Sequence, residues 1–213
     1  INTNGDAEIQ VSEANVFNGE IDCQSMNISD LTGIEAFTNL ETLKCSNNLL
    51  TNLDVSQNTA LTQLGCIDNQ LTSLDVNGAN ALESLYCIVN QLTNLDITQN
   101  TALSWLSCAN NQITSLDVSQ NTAMWMLDCY DNQLTSLDVT QNTALESLSC
   151  ENNQLTSLDV TQNTVLRSLS CDNNQLTCLN VKNGNNSNFT SFYALNNPNL
   201  TCIEVDDVAY STA

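Results

Sequence analysis

From residue 40 onward the apolar positions of the chain recur on two interleaved spacings. Within short windows they alternate: in SLSC at residues 147–150, Leu148 and Cys150 share one face while Ser147 and Ser149 share the other, the period of two that marks a strand with one buried side. The windows themselves also repeat. Cys45, Cys66, Cys87, Cys108, Cys129, Cys150 and Cys171 are each 21 residues apart, and alignment on them gives L-x-x-L-x-C-x-x-N-x-[LI]-T-x-L-[DN]-[VI]-x-x-x-x-x, clean in LTQLGCIDNQLTSLDV and LESLSCENNQLTSLDV. One such unit is too small to bury its own leucines, whereas units stacked at about 4.8 Å per coil bury them in common. The pattern predicts a strand around each L-x-C, a second short extended segment around each L-D-V, and turns between them. The Leu, Cys and Val columns then form one continuous core.

This unit, with cysteine in its third apolar slot, resembles the leucine-rich repeat and is similar to the cysteine-ladder repeats of internalin-type bacterial surface proteins. The resemblance runs without a gap over about residues 40–181. It implies a solenoid with a parallel β-sheet on the concave face, short strand, turn and 3-10 segments on the convex face, and little α-helix. It also implies adhesion or surface recognition by a secreted or surface-attached protein. We expect a single solenoid domain: an N-terminal cap at 1–39, seven repeats at 40–186 and a C-terminal cap at 187–213. Cys23 stands 22 residues before Cys45, and NFTSFYALNNPNLTCIEV puts Ala194 in the cysteine column, as expected of atypical end coils. The chain opens on Ile1 without a charged-then-apolar leader and stops soon after the second cap, so a trimmed segment of a larger protein is expected.

Three polar or sulfur columns follow from the stacking. Asn48, Asn69, Asn90, Asn111, Asn132, Asn153 and Asn174 fall where the chain leaves the strand inside the coil, and their amides are expected to satisfy backbone groups there. Asp54, Asp75, Asp96, Asp117, Asp138 and Asp159 would repel one another unless each accepts backbone N–H bonds two or three residues on, or unless cations line the column. The ladder cysteines are expected to be buried thiols, because side chains in register run parallel rather than toward one another. Cys178 and Cys202 differ: each precedes a second strand-like segment in adjacent coils and replaces an exposed Ser. A disulfide between them is predicted, and with it an oxidising, extracytoplasmic setting.

Composition narrows the function. With 24 acidic residues, only Lys44, Arg167 and Lys182 as basic ones, and a net charge of −21, the chain repels nucleic acids and anionic lipid. No apolar run is long enough to span a bilayer. The absence of His removes the usual general base. NTNGDAEIQVSE, residues 2–13, has the spacing of a calcium loop, with Asn2, Asn4 and Asp6 offering side-chain oxygens, Glu8 a carbonyl and Glu13 a bidentate carboxylate. Asn at its first position and Ala7 where Gly normally turns weaken the match, so any Ca2+ binding should be weak. The alternative there is a capping turn followed by a short helix through VSEANVF.

The remaining variation lies on one face. The third, fifth and seventh places of L-x-x-L-x-C-x are predicted to point outward from the concave sheet. Most copies carry Ser, Thr or acids there, yet the middle coils carry Trp105 and Met126, then Tyr86 and Asp128, then Ile67, Ile88 and Tyr130, with Trp125 at the margin and Asp131 beside it. An exposed apolar patch rimmed by acids marks an interaction site. The predicted function is therefore a non-enzymatic, monomeric recognition module that binds a protein or glycan. Two other readings stand beside it: a passive spacer or ice-binding surface built on the Thr51–Thr177 column, and a glycoside hydrolase using Asp128 with Asp131 or Glu151.

Overall fold

The computed structural model describes residues 9–207, so Asn2, Asn4, Asp6 and Glu8 lie outside the described residues. The elements in chain order are a one-turn helix α1 (Val11–Ala14), then β1 (Glu20–Asp22), β2 (Thr42–Lys44), β3 (Asn52–Asp54), β4 (Gln63–Gly65), β5 (Ser73–Asp75), β6 (Ser84–Tyr86) and β7 (Trp105–Ser107). They continue with β8 (Met126–Asp128), β9 (Ser147–Ser149), β10 (Ser157–Asp159), β11 (Ser168–Ser170), β12 (Cys178–Asn180), β13 (Ser191–Tyr193) and β14 (Cys202–Glu204). Nine of these strands form one parallel sheet in the order β1-β2-β4-β6-β7-β8-β9-β11-β13. The chain is thus a parallel β-solenoid of stacked coils. The 3-10 turns, expected along the convex face, occur among the described residues only in the end coils, at Ile34–Ala36 and Asn186–Asn188.

The register is set by the core. Leu43, Leu64, Leu85, Leu106, Leu127, Leu148 and Leu169 pair strand to strand and are all fully buried. A slip of one residue would turn every one of them to solvent. The ladder cysteines Cys45 to Cys171 stack one layer further on, free and buried, and burial pushes their thiols well above the ordinary range.

The chain leaves each strand through a residue with φ between +52° and +57°, from Asn47 to Asn173, and the asparagine that follows binds the coils together. Asn132 Nδ2 donates to the carbonyls of Cys108 (3.1 Å), Cys129 (3.2 Å) and Tyr130 (3.3 Å), while its Oδ1 accepts the Ile113 N–H at 2.9 Å. Asn48, Asn69, Asn90, Asn111, Asn153 and Asn174 repeat this arrangement, and Asn197 continues it into the C-terminal cap. A second amide column, which the sequence reading treated as variable, runs along the opposite turn. Asn58, Asn100, Asn121, Asn142 and Asn163 are fully buried, and each Nδ2 donates to two carbonyls of the preceding coil, for example Asn121 to Ile97 O (3.1 Å) and Asn100 O (2.8 Å). In the one repeat where this position is Ala79, the adjacent Gly78 passes so close to the preceding coil that a Cβ there would lie 1.7 Å from the Ser56 carbonyl oxygen.

The second face is less continuous. β3 pairs with β5, and β10, β12 and β14 form a three-stranded ladder, but the corresponding segments at residues 94–96, 115–117 and 136–138 form no strand. These are the coils whose concave strands carry the aromatics or lie beside them. Here strand pairing is confined to the concave side, although the turns stay bonded coil to coil, and shallow grooves of about 250 Å³ run along Asp96, Asp117 and Asp138. Each Asp of this column turns Oδ1 onto the N–H two residues on, as in Asp54 to Ser56 (2.8 Å) and Asp138 to Thr140 (2.9 Å). The Thr98 hydroxyl and N–H hold Asp96, and the N–H and hydroxyl of Ser119 and of Thr140 hold Asp117 and Asp138, below the usual carboxylate range, although Asp117 repels Asp96 and Asp138. At the last coil, Cys178 and Cys202 are in register on β12 and β14, with Cα atoms 4.8 Å apart, and are joined by a disulfide.

Replacing Asn132 by Ala leaves the buried Ile113 N–H without its acceptor and takes one donor each from the carbonyls of Cys108, Cys129 and Tyr130, which keep Asn111 Nδ2, Asn153 Nδ2 and the Asn110 N–H. Unfolding in urea should show a loss of about 3 kcal/mol, while Gln133→Ala, exposed on the same turn, should fall within about 0.5 kcal/mol of wild type.

Candidate concave-face interaction site

The third and fifth places face outward as the alternation predicts: β2, β4, β6, β8, β9 and β11 each read half-buried, buried, half-buried. The seventh place is mixed, which corrects the expectation that the whole column touches solvent. Ile67, Ile88, Tyr130, Glu151 and Asp172 are half-buried, but Ser46 and Ala109 are covered. Ser46 turns its hydroxyl onto the Ile67 N–H at 3.1 Å, and Ala109 is a single methyl between the larger Ile88 and Tyr130 of its column. Ser107, in register between Tyr86 and Asp128, is only 3% exposed for the same reason, and its hydroxyl donates to Asp128 Oδ2 at 2.7 Å.

The aromatic residues form a connected ridge. Trp105 meets Tyr86 edge to face with centroids 5.1 Å apart, and meets Trp125 at 5.2 Å and 65°. Met126 lies beside Trp105 in register. The ridge is not core: Met124, one position before Trp125, takes the buried slot, while Trp125 keeps 37% of its surface in solvent. The indole N–H of Trp105 is shielded and has no acceptor among the described residues, so stacking these rings withdraws a polar group from water without replacing its bond.

One further residue of this surface escaped the sequence reading. The turn residue with positive φ is Asn or Asp in every other repeat coil, side chains that tolerate this conformation. In the coil of Tyr86 and Ile88 it is Val89, at φ +56° and 45% exposed. A β-branched residue is strained there, by about 1 kcal/mol or more, and gains no burial in return. Its signal was the single departure from Asn or Asp in that column, beside Ile88 and Ile67.

Acids border the ridge on the side of the later coils. Tyr130 feels Asp128, Asp131 and Glu151, and its hydroxyl is raised first by burial and then by those charges. The Asp172 carboxylate accepts the Leu195 N–H. Glu151 is the least compensated. Burial raises its pKa, the Ser170 hydroxyl offsets part of this, and Asp172 and Asp128 add to it, while Oε2 is shielded with no partner among the described residues. Of the calcium-loop residues only Glu13 is described: it is buried, and its Oε2 accepts the Gln10 N–H at 3.1 Å at the start of α1.

The chain matches no profile of a known protein family. Among curated proteins, Internalin J of Listeria monocytogenes serotype 4b is 51% identical over 39 residues, which is 18% of this chain and 4% of that protein. Among solved structures, the functional domain of InlJ from Listeria monocytogenes, which includes a cysteine ladder, is 33% identical with TM-score 0.63, covering 92% of this chain and 54% of that one. A leucine-rich-repeat protein of Leptospira interrogans is 25% identical with TM-score 0.68, covering 83% of this chain and 45% of its own. Internalin C2 of Listeria monocytogenes is similar in fold, at 18% identity and TM-score 0.67 over 92% of this chain. The chain therefore spans about half the length of the InlJ domain and less than half of the Leptospira protein. It is a parallel β-solenoid with a cysteine ladder, similar to these leucine-rich-repeat structures of the internalin type.

Two outcomes follow from the strained and desolvated groups. Val89→Asn should raise stability by about 1 kcal/mol in denaturant unfolding, since Asn accepts the left-handed turn. Glu151→Gln should behave differently with pH. The folded state raises this carboxyl above its ordinary 4.5, so the wild type carries a penalty at neutral pH that fades as pH falls through the raised value and is gone below about pH 4, where folded and unfolded states are both protonated. Thermal melts should show the variant above wild type at neutral pH and level with it in acid.

Proposed function

We propose that this solenoid is a non-enzymatic recognition module that binds a protein partner through the ridge of Tyr86, Trp105, Trp125 and Met126 on its concave face, with Ile67, Ile88, Val89 and Tyr130 as its flank. The observation that carries the reading is the placement of these side chains. Coils that are otherwise uniform put three stacked aromatic rings and a strained valine on one outer surface, where they add little to the core. Large amphipathic rings at low conformational entropy are what interaction hot spots use. The likeness to internalin solenoids supports a protein-interaction role, and the exposed face of Trp125 also suits a sugar ring, so a glycan is the second reading.

The same proposal places the protein outside the cytoplasm, secreted or attached to a bacterial surface. The Cys178–Cys202 disulfide supports this, as does the likeness to the Listeria solenoids. No helix among the described residues is long and apolar enough to cross a membrane. A glycosidase reading gains the raised Glu151 but finds Asp128, Asp131 and Glu151 all touching solvent on an open sheet.

The test is binding of the chain to arrays of surface proteins and glycans beside a variant carrying Trp105→Ser, Trp125→Glu, Met126→Ser and Tyr130→Glu. The variant should fold, as judged by circular dichroism, and lose at least about tenfold in affinity for whatever the wild type binds. Equal binding by both would remove the concave ridge from consideration.

A further inference from the structure

The charge around the ridge indicates what kind of protein partner fits it. The chain has three basic residues. Lys44 is held by Glu20 at 2.8 Å in the first coils and Lys182 by Glu204 at 3.1 Å in the last. Arg167 stands just before β11, at the opposite end of that strand from Asp172, about 15 Å of extended chain away. The acids beside the ridge, Asp128, Asp131, Glu151 and Asp172, therefore have no counter-charge of their own. Two of them are already committed: Asp128 to the Ser107 hydroxyl and Asp172 to the Leu195 N–H. Glu151 is partly committed as well, to the Ser170 hydroxyl, and its Oε2 is shielded with no partner among the described residues. It lies next to Tyr130 in the seventh column, so a cation drawn to this carboxylate also meets Tyr130, while Trp125 stands as far back along its coil from Tyr130 as Arg167 does from Asp172, about 15 Å of extended chain, with Met126 and Asp128 between.

We propose, building on the concave-ridge reading above, that the partner is a basic protein segment that sets a lysine or arginine against Glu151, Asp128 and Asp131 and an apolar side chain on Trp125 and Met126. The geometry divides the work. The aromatic ridge supplies desolvated area, and the acids select the sign of the neighbouring charge and raise the association rate. A cation beside the solvent-facing side of Glu151 would answer the uncompensated charge of Asp128, Asp131 and Glu151 and gain from Tyr130. A neutral glycan would leave that charge unanswered.

The test uses the whole chain as bait for a phage-displayed random heptapeptide library, with three variants as comparison baits, each first shown to be folded by its thermal melt. The variants are Glu151→Gln with Asp128→Asn, Trp125→Ser with Met126→Ser, and Asp96→Asn with Asp117→Asn, the last removing the same charge from the second face. Peptides enriched on wild type should carry Lys or Arg and an apolar residue about four positions apart. Their binding should fall at least tenfold on the first two variants and in 0.5 M NaCl, and should be unchanged on the third. Equal loss on the second-face variant would reduce the effect to overall charge and overturn the proposal. Peptides without basic residues that still depend on Trp125 and Met126 would overturn it while leaving the concave ridge as a binding surface. Peptides indifferent to both concave-face variants would overturn both readings. Absence of enrichment, with the glycan array positive and dependent on Trp125, would replace the protein partner by a sugar.

Discussion

Stacking depends on the asparagine amides that bridge each coil to the one before. A coil of this length has backbone carbonyls and N–H groups turned inward at two places, where neither a strand partner nor water can reach them. One amide column serves each place. Asn132 connects Cys108, Cys129, Tyr130 and Ile113, and at the far turn Asn121 and its equivalents each donate to two carbonyls of the coil before, their Oδ1 atoms shielded without a donor among the described residues. These bonds have a fixed reach, so they set both the spacing and the register of the coils. The Leu and Cys columns then fall on one another and bury without further adjustment.

That constraint is also what makes the concave surface a platform. With the backbone held from both sides, side chains at the outward places are free to differ, and unfavourable ones are tolerated. Val89 keeps its left-handed turn because the ladder fixes it from both neighbours: its N–H donates to Ala109 at 3.1 Å and its carbonyl accepts from Asn69 at 3.2 Å. The shielded indole N–H of Trp105 and the stranded oxygen of Glu151 are accepted on the same terms. These three locally unfavourable choices, in the coils of Cys87, Cys108 and Cys150, lie on one face and support the proposal that it is a binding surface, whereas the shielded Oδ1 atoms of the Asn58 column recur coil after coil at the far turn.

The period made most of the fold legible. Cys45 to Cys171 gave the stacking, the alternation in SLSC gave the concave strand, and the Asn48 column and the Asx turns of the Asp54 column could be read from where the chain had to bend. What stayed hidden was hidden for physical reasons. The Asn58 column recurs as plainly as the first, but it lies in a polar stretch with no apolar marker to show that it points inward. Ser107 and Ala109 look exposed by position and are covered because their in-register neighbours are larger, a property of adjacent coils rather than of any one. Conformation is absent from composition altogether, so Val89 reads as an ordinary apolar residue until its φ is known.

The two kinds of cysteine carry a consequence for how the molecule is assembled. In the finished stack the seven ladder thiols and Cys23 are buried and hard to ionise, and so cannot attack a disulfide, whereas Cys178 and Cys202 lie at the surface and are already joined. In the extended chain no such distinction exists, and ten equivalent thiols offer many wrong pairings. Order of events is therefore decisive: coils that close before an oxidant arrives sort the sulfurs by themselves, and the crosslink forms last, as a clasp on a column already built.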